Sequence, residues 1–365
     1  MPQPVDYVFD LDPESLRERV LSWEMPAYRA DQILDWVYGR HVINPLEMNN
    51  LSLRDREVLA QRLCFTRGRV VRHQSATDGT QKLLIEWNDA RPPTAPNHSL
   101  AVVAGQPQTE CVMIPAQDTT RSRRTACVSS QVGCPVGCRF CASGLGGLEG
   151  NLTAGQIVEQ VWRLGMLSDL GRITNVVFMG MGEPLANFDQ VARAVRTLMA
   201  DWALGISGRK ITISTVGLPA QIRRLAELDL PVTLAISLHA PNDEVRRRII
   251  PWAEFVTMAQ LLEAGRYYFE RTGREITLEY VLLHAVNDRP EHARELAQVA
   301  RELRSNINLI QFNEVPALPY QRPGDAEVRR FRDILAQAGV NVHIRASRGR
   351  DIAAACGQLR HEARV

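Results

Sequence analysis

Three cysteines stand close together in the stretch QVGCPVGCRFCASGLGG, residues 131–147. Three residues separate Cys134 from Cys138, and two separate Cys138 from Cys141. Glycines and a proline lie between them, so the segment is expected to form a tight loop after a strand. Cysteine sulfur is a ligand both for zinc and for iron–sulfur clusters. The spacing therefore predicts a metal centre on a loop.

Two common kinds of metal site account poorly for this motif. Structural zinc sites usually take four protein ligands, often as paired Cys-x-x-Cys, and the sequence has no second pair of that kind. A ferredoxin-type cluster needs a fourth cysteine at a set spacing, which is missing. Three cysteines on a four-iron cluster leave one iron open, and an open coordination position is what a catalytic metal needs. Inert packed cysteines are the remaining alternative, and a Gly/Pro-rich loop disfavours it.

With Phe140 directly before the last cysteine, the motif resembles the signature of the radical S-adenosylmethionine (SAM) superfamily. The resemblance implies that Cys134, Cys138 and Cys141 hold a 4Fe-4S cluster whose open iron binds S-adenosylmethionine. One electron then breaks a carbon–sulfur bond of the cofactor and releases a 5′-deoxyadenosyl radical.

Two further cysteines lie outside the loop, Cys127 on the preceding strand and Cys356 in DIAAACGQL. A buried, inert thiol is the ordinary interpretation of each one. Six segments nevertheless closely resemble, in order, the dual-specificity ribosomal and transfer RNA adenine-carbon-2 methyltransferases: TACVSSQVGC, FMGMGEPLAN, ITISTVG, ISLHAPNDEVR, INLIQFN and AACGQL. The likeness covers residues 105–360, and YRADQILDWVY resembles the N-terminal helical RNA-binding domain of that family.

The resemblance gives both cysteines a role. In that family the cysteine matching Cys356 accepts a methyl group from one S-adenosylmethionine, and a second molecule makes the radical, so two are used per turnover. The methylene radical adds to carbon 2 of adenine and tethers the RNA covalently. Cys127 is then expected to help remove the carbon-2 proton and to resolve the adduct, leaving a disulfide bond with Cys356. Glu110 matches a family acid that is assigned as a proton acceptor.

The resemblance also implies a set of cofactor contacts at or just after the ends of predicted strands. They are Gly182, Glu183, Ser214, Ser237, Leu238, His239 and Asn313. Glu183, in MGMGEP, is expected to accept hydrogen bonds from the cofactor's ammonium group, and the glycines beside it to let the backbone approach a ligand. Ordinary loop capping is the alternative for Ser214, Ser237 and His239.

The substrates implied are 23S rRNA, at the peptidyl-transferase centre, and the tRNA anticodon loop, with a reductant such as flavodoxin. The carbon-8 methyltransferase branch of the family, which confers antibiotic resistance, is the nearest alternative. That branch tends to carry alanine and serine where this chain has Pro184 and Ala240, so carbon 2 is favoured. A radical enzyme without a methyl-carrying cysteine, and an iron–sulfur module that binds RNA or senses redox state, are further alternatives.

The elements that must position these residues alternate between strand and helix from Thr125 onward. The predicted strands are Ala126–Ser130, Asn175–Met179, Lys210–Ser214, Val232–Ser237, Ile276–Leu283, Ile307–Phe312 and Val340–Ile344. Thr153 with Gln156, and Thr257 with Gln260, predict capped helix starts. Repeated strand–helix units predict an α/β fold with a parallel sheet curled into a partial or full barrel. The resemblance narrows this to the radical SAM partial (βα)6 barrel, with its chemistry at the carboxyl ends of the strands.

Three domains are expected. Residues 1–65 are predicted to form a small N-terminal helical accessory domain that binds RNA, in which Asp12 caps a helix beginning at Pro13. Residues 66–124 contain the short β-rich runs RVVRH, KLLIEW, LAVVAG and ECVMIP, and are predicted to be a β-rich connector. Residues 125–365 are predicted to be the barrel with the Cys356-bearing C-terminal segment.

Composition limits the class of protein. The 365 residues are 45% hydrophobic and 23% charged, with a net charge of only +2. No apolar run reaches the roughly 18 residues of a membrane span, and the N-terminus lacks a signal-peptide core. Seven cysteines, an odd number, argue against a disulfide framework. A cytoplasmic, monomeric protein is expected, with RNA contacts from the clusters Arg121/Arg123/Arg124, Arg246–Arg248 and Arg345/Arg348/Arg350.

Overall fold

The computed structural model describes residues 6–88, 106–116, 123–167 and 172–359. Its strands in chain order are β1 Asp6–Tyr7, β2 Leu63–Cys64, β3 Gly68–Ser75, β4 Gln81–Trp87, β5 Gln108–Pro115, β6 Arg124–Cys127, β7 Gln131–Gly133, β8 Leu148–Asn151, β9 Asn175–Phe178, β10 Ile211–Thr215, β11 Thr233–Ser237, β12 Ile276–Leu282, β13 Ser305–Gln311 and β14 Val342–Arg345. Its α-helices are α1 Pro13–Ser22, α2 Arg29–Leu34, α3 Leu53–Arg62, α4 Ala154–Gly165, α5 Phe188–Met199, α6 Pro219–Ala226, α7 Asp243–Ile249, α8 Met258–Thr272, α9 Pro290–Arg301 and α10 Asp325–Gln337.

One ten-stranded sheet organises the molecule, in the order β14-β13-β12-β11-β10-β9-β6-β5-β4-β3. The seven strands from β6 to β14 in this order run parallel to their neighbours. Six connections between them carry helices, as expected for repeated βα units. Within the described ranges β14 pairs only with β13, so hydrogen bonds do not close the barrel. The predicted α/β fold with a parallel, partly closed barrel is confirmed.

The predicted helix starts have the expected capping contacts. The carboxylate of Asp12 accepts a hydrogen bond from Ser15 N at 2.8 Å, with Pro13 as the first helical residue. Capping boxes begin α4 at Thr153 and α8 at Thr257. Because these signals lie within four residues of each other, the sequence alone locates these helices.

Strands β3 to β5 extend the barrel sheet itself. They run antiparallel to one another, and β5 pairs antiparallel with β6 through Val112 opposite Cys127. The run LAVVAG, residues 100–105, and Arg121 lie outside the described residues. The domain boundaries after residues 65 and 124 stay predictions.

The segment before α1, residues 7–10, packs against α4 through aromatic rings and one buried carboxylate. Phe9 contacts Trp162 edge-to-face, with ring centroids 5.7 Å apart. Glu159, fully buried on α4, accepts hydrogen bonds from Tyr7 and from the backbone N–H of Arg67. These contacts fix the helical region on the barrel beside the strand that leads to the cysteine loop. Among the described residues, no helix has both the length and the apolar character needed to cross a bilayer.

Candidate active site

The loop that carries Cys134, Cys138 and Cys141, here called the cluster loop (residues 134–147), connects β7 to β8. Its ends are joined by a hydrogen bond of 2.9 Å from Cys134 N to Gly147 O. Gly133, just before it, has φ +72, and a Cβ there would lie 2.0 Å from Gly147 O. Only glycine meets both conditions, so the tight entry to the loop is encoded locally.

The cluster loop packs on a small apolar cluster of its own. Val136 and Phe140 are buried there, and the Phe140 ring lies edge-to-face on His239 at 5.0 Å. All three loop cysteines border one cavity of about 160 Å³. Burial raises the pKa of Cys134 to about 12 and also raises that of Cys138 and Cys141. Three thiols thus border one cavity in which bare thiolates are unfavourable, and a metal cation bound there would stabilise them as ligands.

Most of the predicted cofactor contacts line this same cavity, here called the cofactor cavity. They are Gly182, Glu183, Ser214, Ser237 and His239. Leu238 is fully buried behind them, and its N–H donates to Glu279 O at 3.1 Å. Asn313 lines the neighbouring larger cavity, and its buried Oδ1 has no hydrogen-bond partner among the described residues. An unpaired buried acceptor of this kind is suited to a polar ligand group.

Glu183 is held rigidly at the end of β9. Its carboxylate accepts hydrogen bonds from Leu185 N at 3.0 Å and Val216 N at 2.8 Å. Burial outweighs these bonds and raises the pKa of Glu183 to about 7. Gly182 has φ +102, and a Cβ there would meet Gln131 at 2.7 Å, so glycine is required for packing on β7 as well as for approach to a ligand.

His239 has a strained backbone that sequence reasoning did not anticipate. Its φ is +58, and Asn287 stabilises it by donating to His239 O at 2.8 Å. The ring Nδ1 accepts a hydrogen bond from Val281 N at 3.1 Å. Burial lowers the pKa of His239 to about 3, so the imidazole is neutral. A fixed, neutral ring beside the cluster loop can bind a ligand without adding charge.

A second cavity of about 530 Å³, here called the lumen cavity, lies inside the barrel and is lined by Cys127 on β6. Cys356 and Arg345 line both cavities, so the Cys356 thiol stands between them. Cys356 raises the pKa of Arg345 against the effect of burial, and the guanidinium also lies near Glu279, with 3.8 Å between Nη1 and Oε2. Of the three arginines near the C-terminus, Arg348 instead contacts Asp78, at 3.5 Å.

All seven cysteines are free thiols in the structure. The expected disulfide bond between Cys127 and Cys356 is therefore not supported. Burial raises the pKa of Cys127 to about 12, which keeps that thiol protonated.

The segment that carries Cys356, residues 346–359, crosses back over the sheet and is here called the Cys356 segment. Asn313 donates to Cys356 O at 3.1 Å, and Ser143 of the cluster loop donates to Leu359 O at 2.6 Å. Asp78, in the β3–β4 turn, accepts from Gly349 N at 3.1 Å. The residues that anchor the Cys356 segment thus come from three separate parts of the chain. Of these residues the sequence analysis had named only Asn313, as a cofactor contact.

Glu110 lies on β5 with its side chain 2% exposed. Lys82 of β4, equally buried, contacts it with 2.7 Å between Nζ and Oε1. Sequence reasoning missed Lys82, although a lysine next to the apolar run LLI was a signal of a buried cation. It also took Arg246 as part of an RNA-binding cluster, whereas that side chain is fully buried and donates to Val216 O.

Two family models match the chain. The Radical SAM superfamily model matches residues 128–297, and the ribosomal RNA large subunit methyltransferase N-terminal domain model matches residues 7–65. A probable dual-specificity RNA methyltransferase RlmN from Dictyoglomus thermophilum is 42% identical over 354 residues, which cover 96% of this chain and 95% of that protein. The chain belongs to the RlmN family.

A second RlmN relative and one solved structure support the same family assignment. The probable dual-specificity RNA methyltransferase RlmN of Salinibacter ruber is 43% identical, covering 95% of this chain and 92% of that protein. A radical SAM methyltransferase from Sphaerobacter thermophilus superposes with a TM-score of 0.89 at 40% identity, covering 98% and 99% of the two chains. This RlmN-family chain is thus a radical SAM RNA methyltransferase. Its family implies a 4Fe-4S cluster and S-adenosylmethionine, and the converging thiols, the carboxylate of Glu183 and the open acceptor of Asn313 fit them.

Proposed function

We propose that this protein methylates carbon 2 of adenine in 23S rRNA, at the peptidyl-transferase centre, and in the tRNA anticodon loop. The methyl group travels through Cys356, with two S-adenosylmethionine molecules used per turnover and a transient covalent adduct between protein and RNA. The observation that carries this proposal is that Cys356 lines both the cofactor cavity and the lumen cavity that contains Cys127.

The first requirement is a bound cofactor on the cluster side. Cys134, Cys138 and Cys141 would hold the cluster, which together with S-adenosylmethionine supplies one-electron chemistry when bound. Ser214 and Ser237, whose Oγ atoms are 3.2 Å apart, would present hydroxyl groups to the cofactor. Glu183 would accept from its ammonium group, a charge-assisted contact.

The second requirement is a methyl carrier that reaches both ligands. Carbon 2 of adenine is electron-poor and does not attack a methyl donor as a ring nitrogen would, so the methyl must arrive as a carbon radical. Cys356 in its place between the cavities can accept a methyl group from one side and present it to the other. Arg345 lines the same two cavities, so a guanidinium lies near the sulfur that would attack the methyl group.

The third requirement is release of the product. Cys127 and Val112 are paired across β6 and β5, and Glu110 lies two residues before Val112, so both groups are on the same face of the sheet. Cys127 would help to remove the carbon-2 proton, which Glu110 would accept, while one electron of the adduct returns to the redox system that supplied it. The Cys127 sulfur would then bond to the Cys356 sulfur as the Cys356–carbon bond breaks, and the Cys127 proton would pass to the methylene carbon to complete the methyl group. A disulfide between Cys127 and Cys356 would remain, to be reduced before the next turnover.

The RNA would enter the lumen cavity from the amino-terminal ends of the strands. Arg123, Arg209 and Lys210 line that part of the cavity and are exposed. Cations at such an opening bind phosphates and position the chain, while the base itself leaves its stack to reach the reacting thiol. A cavity of about 530 Å³ is in the range of nucleotide-sized ligand sites.

The partners and location follow from the same proposal. A flavodoxin-like protein would supply electrons, and the enzyme would act as a monomer in the cytoplasm, where its thiols stay reduced. RNA affinity would fall steeply with salt because phosphate contacts release counterions.

The test follows the methyl group. Anaerobically reconstituted protein is given S-adenosylmethionine with a deuterated methyl group, and its peptides and the RNA are examined by mass spectrometry. We expect label on Cys356 and then on adenine, and a covalent RNA adduct that accumulates in Cys127→Ala. Cys64→Ala, which alters a thiol outside both cavities, is the matched control. Adenine methylation by Cys356→Ala would overturn the proposal.

A further inference from the structure

Lys82 and Glu110 form an ion pair from which water is almost excluded, since each side chain is only 2% exposed. Burying two charges is costly, and an apolar pair of similar size is often no less stable. Stability alone therefore does not account for charges at these two positions. Glu110 already has a proposed role as proton acceptor, which leaves the question of what Lys82 does.

The ammonium of Lys82 has a second contact, on a different part of the chain. Nζ donates to Ala353 O at 3.2 Å. Ala353 adopts the left-handed region with φ +50, three residues before Cys356. One cation thus joins the acid on β5 to the Cys356 segment.

The sheet register puts this contact on the reacting face. Lys82 is paired with Val112, and Val112 with Cys127. Side chains of residues paired directly across strands point to the same face of the sheet. Glu110 lies two residues before Val112 on β5, so its side chain points to that same face. Lys82, Glu110 and Cys127 consequently share the face of the sheet on which Ala354 and Leu359 of the Cys356 segment pack.

We propose that Lys82 is a positioning residue of the methyl transfer, whose ammonium holds the Glu110 carboxylate and the Cys356 segment in one register. The acid and the methyl-carrying thiol then meet the same adenine. This inference rests on the proposed function, because it assigns Lys82 through the roles of Glu110 and Cys356.

The first test is Lys82→Met, which keeps the length of the side chain and removes its charge. The readout is methylated adenine formed per 5′-deoxyadenosine released, together with iron content. We expect this ratio to fall about 100-fold, as for a misplaced reacting group, with iron content unchanged. A merely structural loss would lower both products together and leave the ratio constant.

Arg69→Met is the matched control for Lys82→Met. It breaks an ion pair with Glu86 on the same hairpin, with 2.6 Å between the charged atoms, where Arg69 is mostly exposed. The ratio should stay within twofold of the wild type. A ratio in Lys82→Met that equals the one in Arg69→Met overturns the inference.

A second pair of variants keeps the test valid if Lys82→Met alone does not fold. The double variant Lys82→Met/Glu110→Gln leaves neither charge buried without its partner, and Glu110→Gln alone keeps the Lys82 ammonium facing a neutral amide of the same size. The inference predicts that the double variant, compared with Glu110→Gln, shows faster amide exchange at residues 349–356 in cofactor-free protein. It also predicts about tenfold less methyl on Cys356.

Equal exchange and equal loading in these two variants would mean that Lys82 is only a counter-ion for Glu110, which overturns the inference. The proposed function fails separately. In that case the wild type itself carries no methyl group on Cys356 and makes no methylated adenine, and the inference fails with it. A wild type that methylates adenine, with an unchanged ratio in Lys82→Met, refutes only the role of Lys82.

Discussion

The cluster loop and the Cys356 segment both present cysteines to the cofactor cavity, yet their anchors differ. The two ends of the loop are hydrogen-bonded to each other, Cys134 N to Gly147 O at 2.9 Å, and its middle contacts distant residues such as His239. The segment depends on residues far away in sequence, among them Asp78, Lys82 and Asn313.

This difference matches the role proposed for each region. A loop that binds a metal cluster has to present three sulfurs in a fixed arrangement, which a rigid local turn provides. A segment that carries a methyl group between two cavities has to be placed accurately against elements from several parts of the barrel. Changes that remove a loop cysteine or distort the loop should therefore abolish or strongly reduce activity, while changes around the segment should separate the steps.

The largest effect is expected for Cys138→Ala, which removes one of three cluster ligands. The cluster should be lost, and with it adenine methylation should fall below detection. Iron content and visible absorbance measure the first result, and nucleoside analysis measures the second. Cys64→Ala, in the N-terminal region, should keep both. A Cys138→Ala protein that still holds four irons and methylates RNA would contradict the role of the loop.

A smaller but still large effect is expected for Gly133→Ala. The new Cβ would meet Gly147 O at 2.0 Å at a positive φ, so the loop should lose more than about 2 kcal/mol and bind much less iron. Gly146→Ala is the control, since nothing lies within 4 Å of a Cβ there. Its thermal stability and iron content should match the wild type. Normal iron binding by Gly133→Ala would show that the loop is not locally fixed.

On the segment side, Asn313→Ala should uncouple the steps without loss of the cluster. It removes the hydrogen bond to Cys356 O, worth about 1 kcal/mol, and a predicted cofactor contact. Adenine methylation should slow about fivefold or more while iron content stays normal. Single-turnover kinetics with mass analysis of Cys356 locate the affected step. Loss of iron in Asn313→Ala would contradict the separation between loop and segment.

The smallest effect is expected for Asp78, in the β3–β4 turn, which accepts a hydrogen bond from the start of the Cys356 segment. Asp78→Ala removes the acceptor for Gly349 N and should raise amide exchange at residues 349–354 by about fivefold, corresponding to about 1 kcal/mol. Asp31→Ala breaks an exposed ion pair with Arg17 in the helical region and should leave that exchange unchanged. Unchanged exchange in both variants would mean that the β3–β4 turn does not hold the segment.

The same contrast explains how much the sequence could predict. The cluster loop, the capping boxes at Thr153 and Thr257 and the strand–helix alternation depend on neighbouring residues, and the structure bears them out. Strand bounds were right to within about three residues, as for β6 at Arg124–Cys127.

What the sequence could not predict depends on contacts between distant residues. The Lys82–Glu110 pair exists because β4 and β5 are in a particular register, and the strained His239 because Asn287 lies beside it. The burial of Arg246 could not be predicted for the same reason. In the sequence it stands in the run Arg246–Arg248, which is typical of a solvent-exposed basic cluster, but its side chain is buried. The proposed role of Cys356 as a methyl carrier came from family resemblance, and the structure adds that this residue lines both cavities.

The most direct test of the central claim is the position of the methyl group on RNA. Anaerobically reconstituted wild-type protein is supplied with a reductant, S-adenosylmethionine, unmethylated 23S rRNA and tRNA. The RNAs are digested to nucleosides and compared by mass spectrometry with 2-methyl-, 8-methyl- and N6-methyladenosine standards. The account predicts 2-methyladenosine that disappears in Cys356→Ala. Exclusive 8-methyladenosine, or 2-methyladenosine that persists in Cys356→Ala, would contradict it.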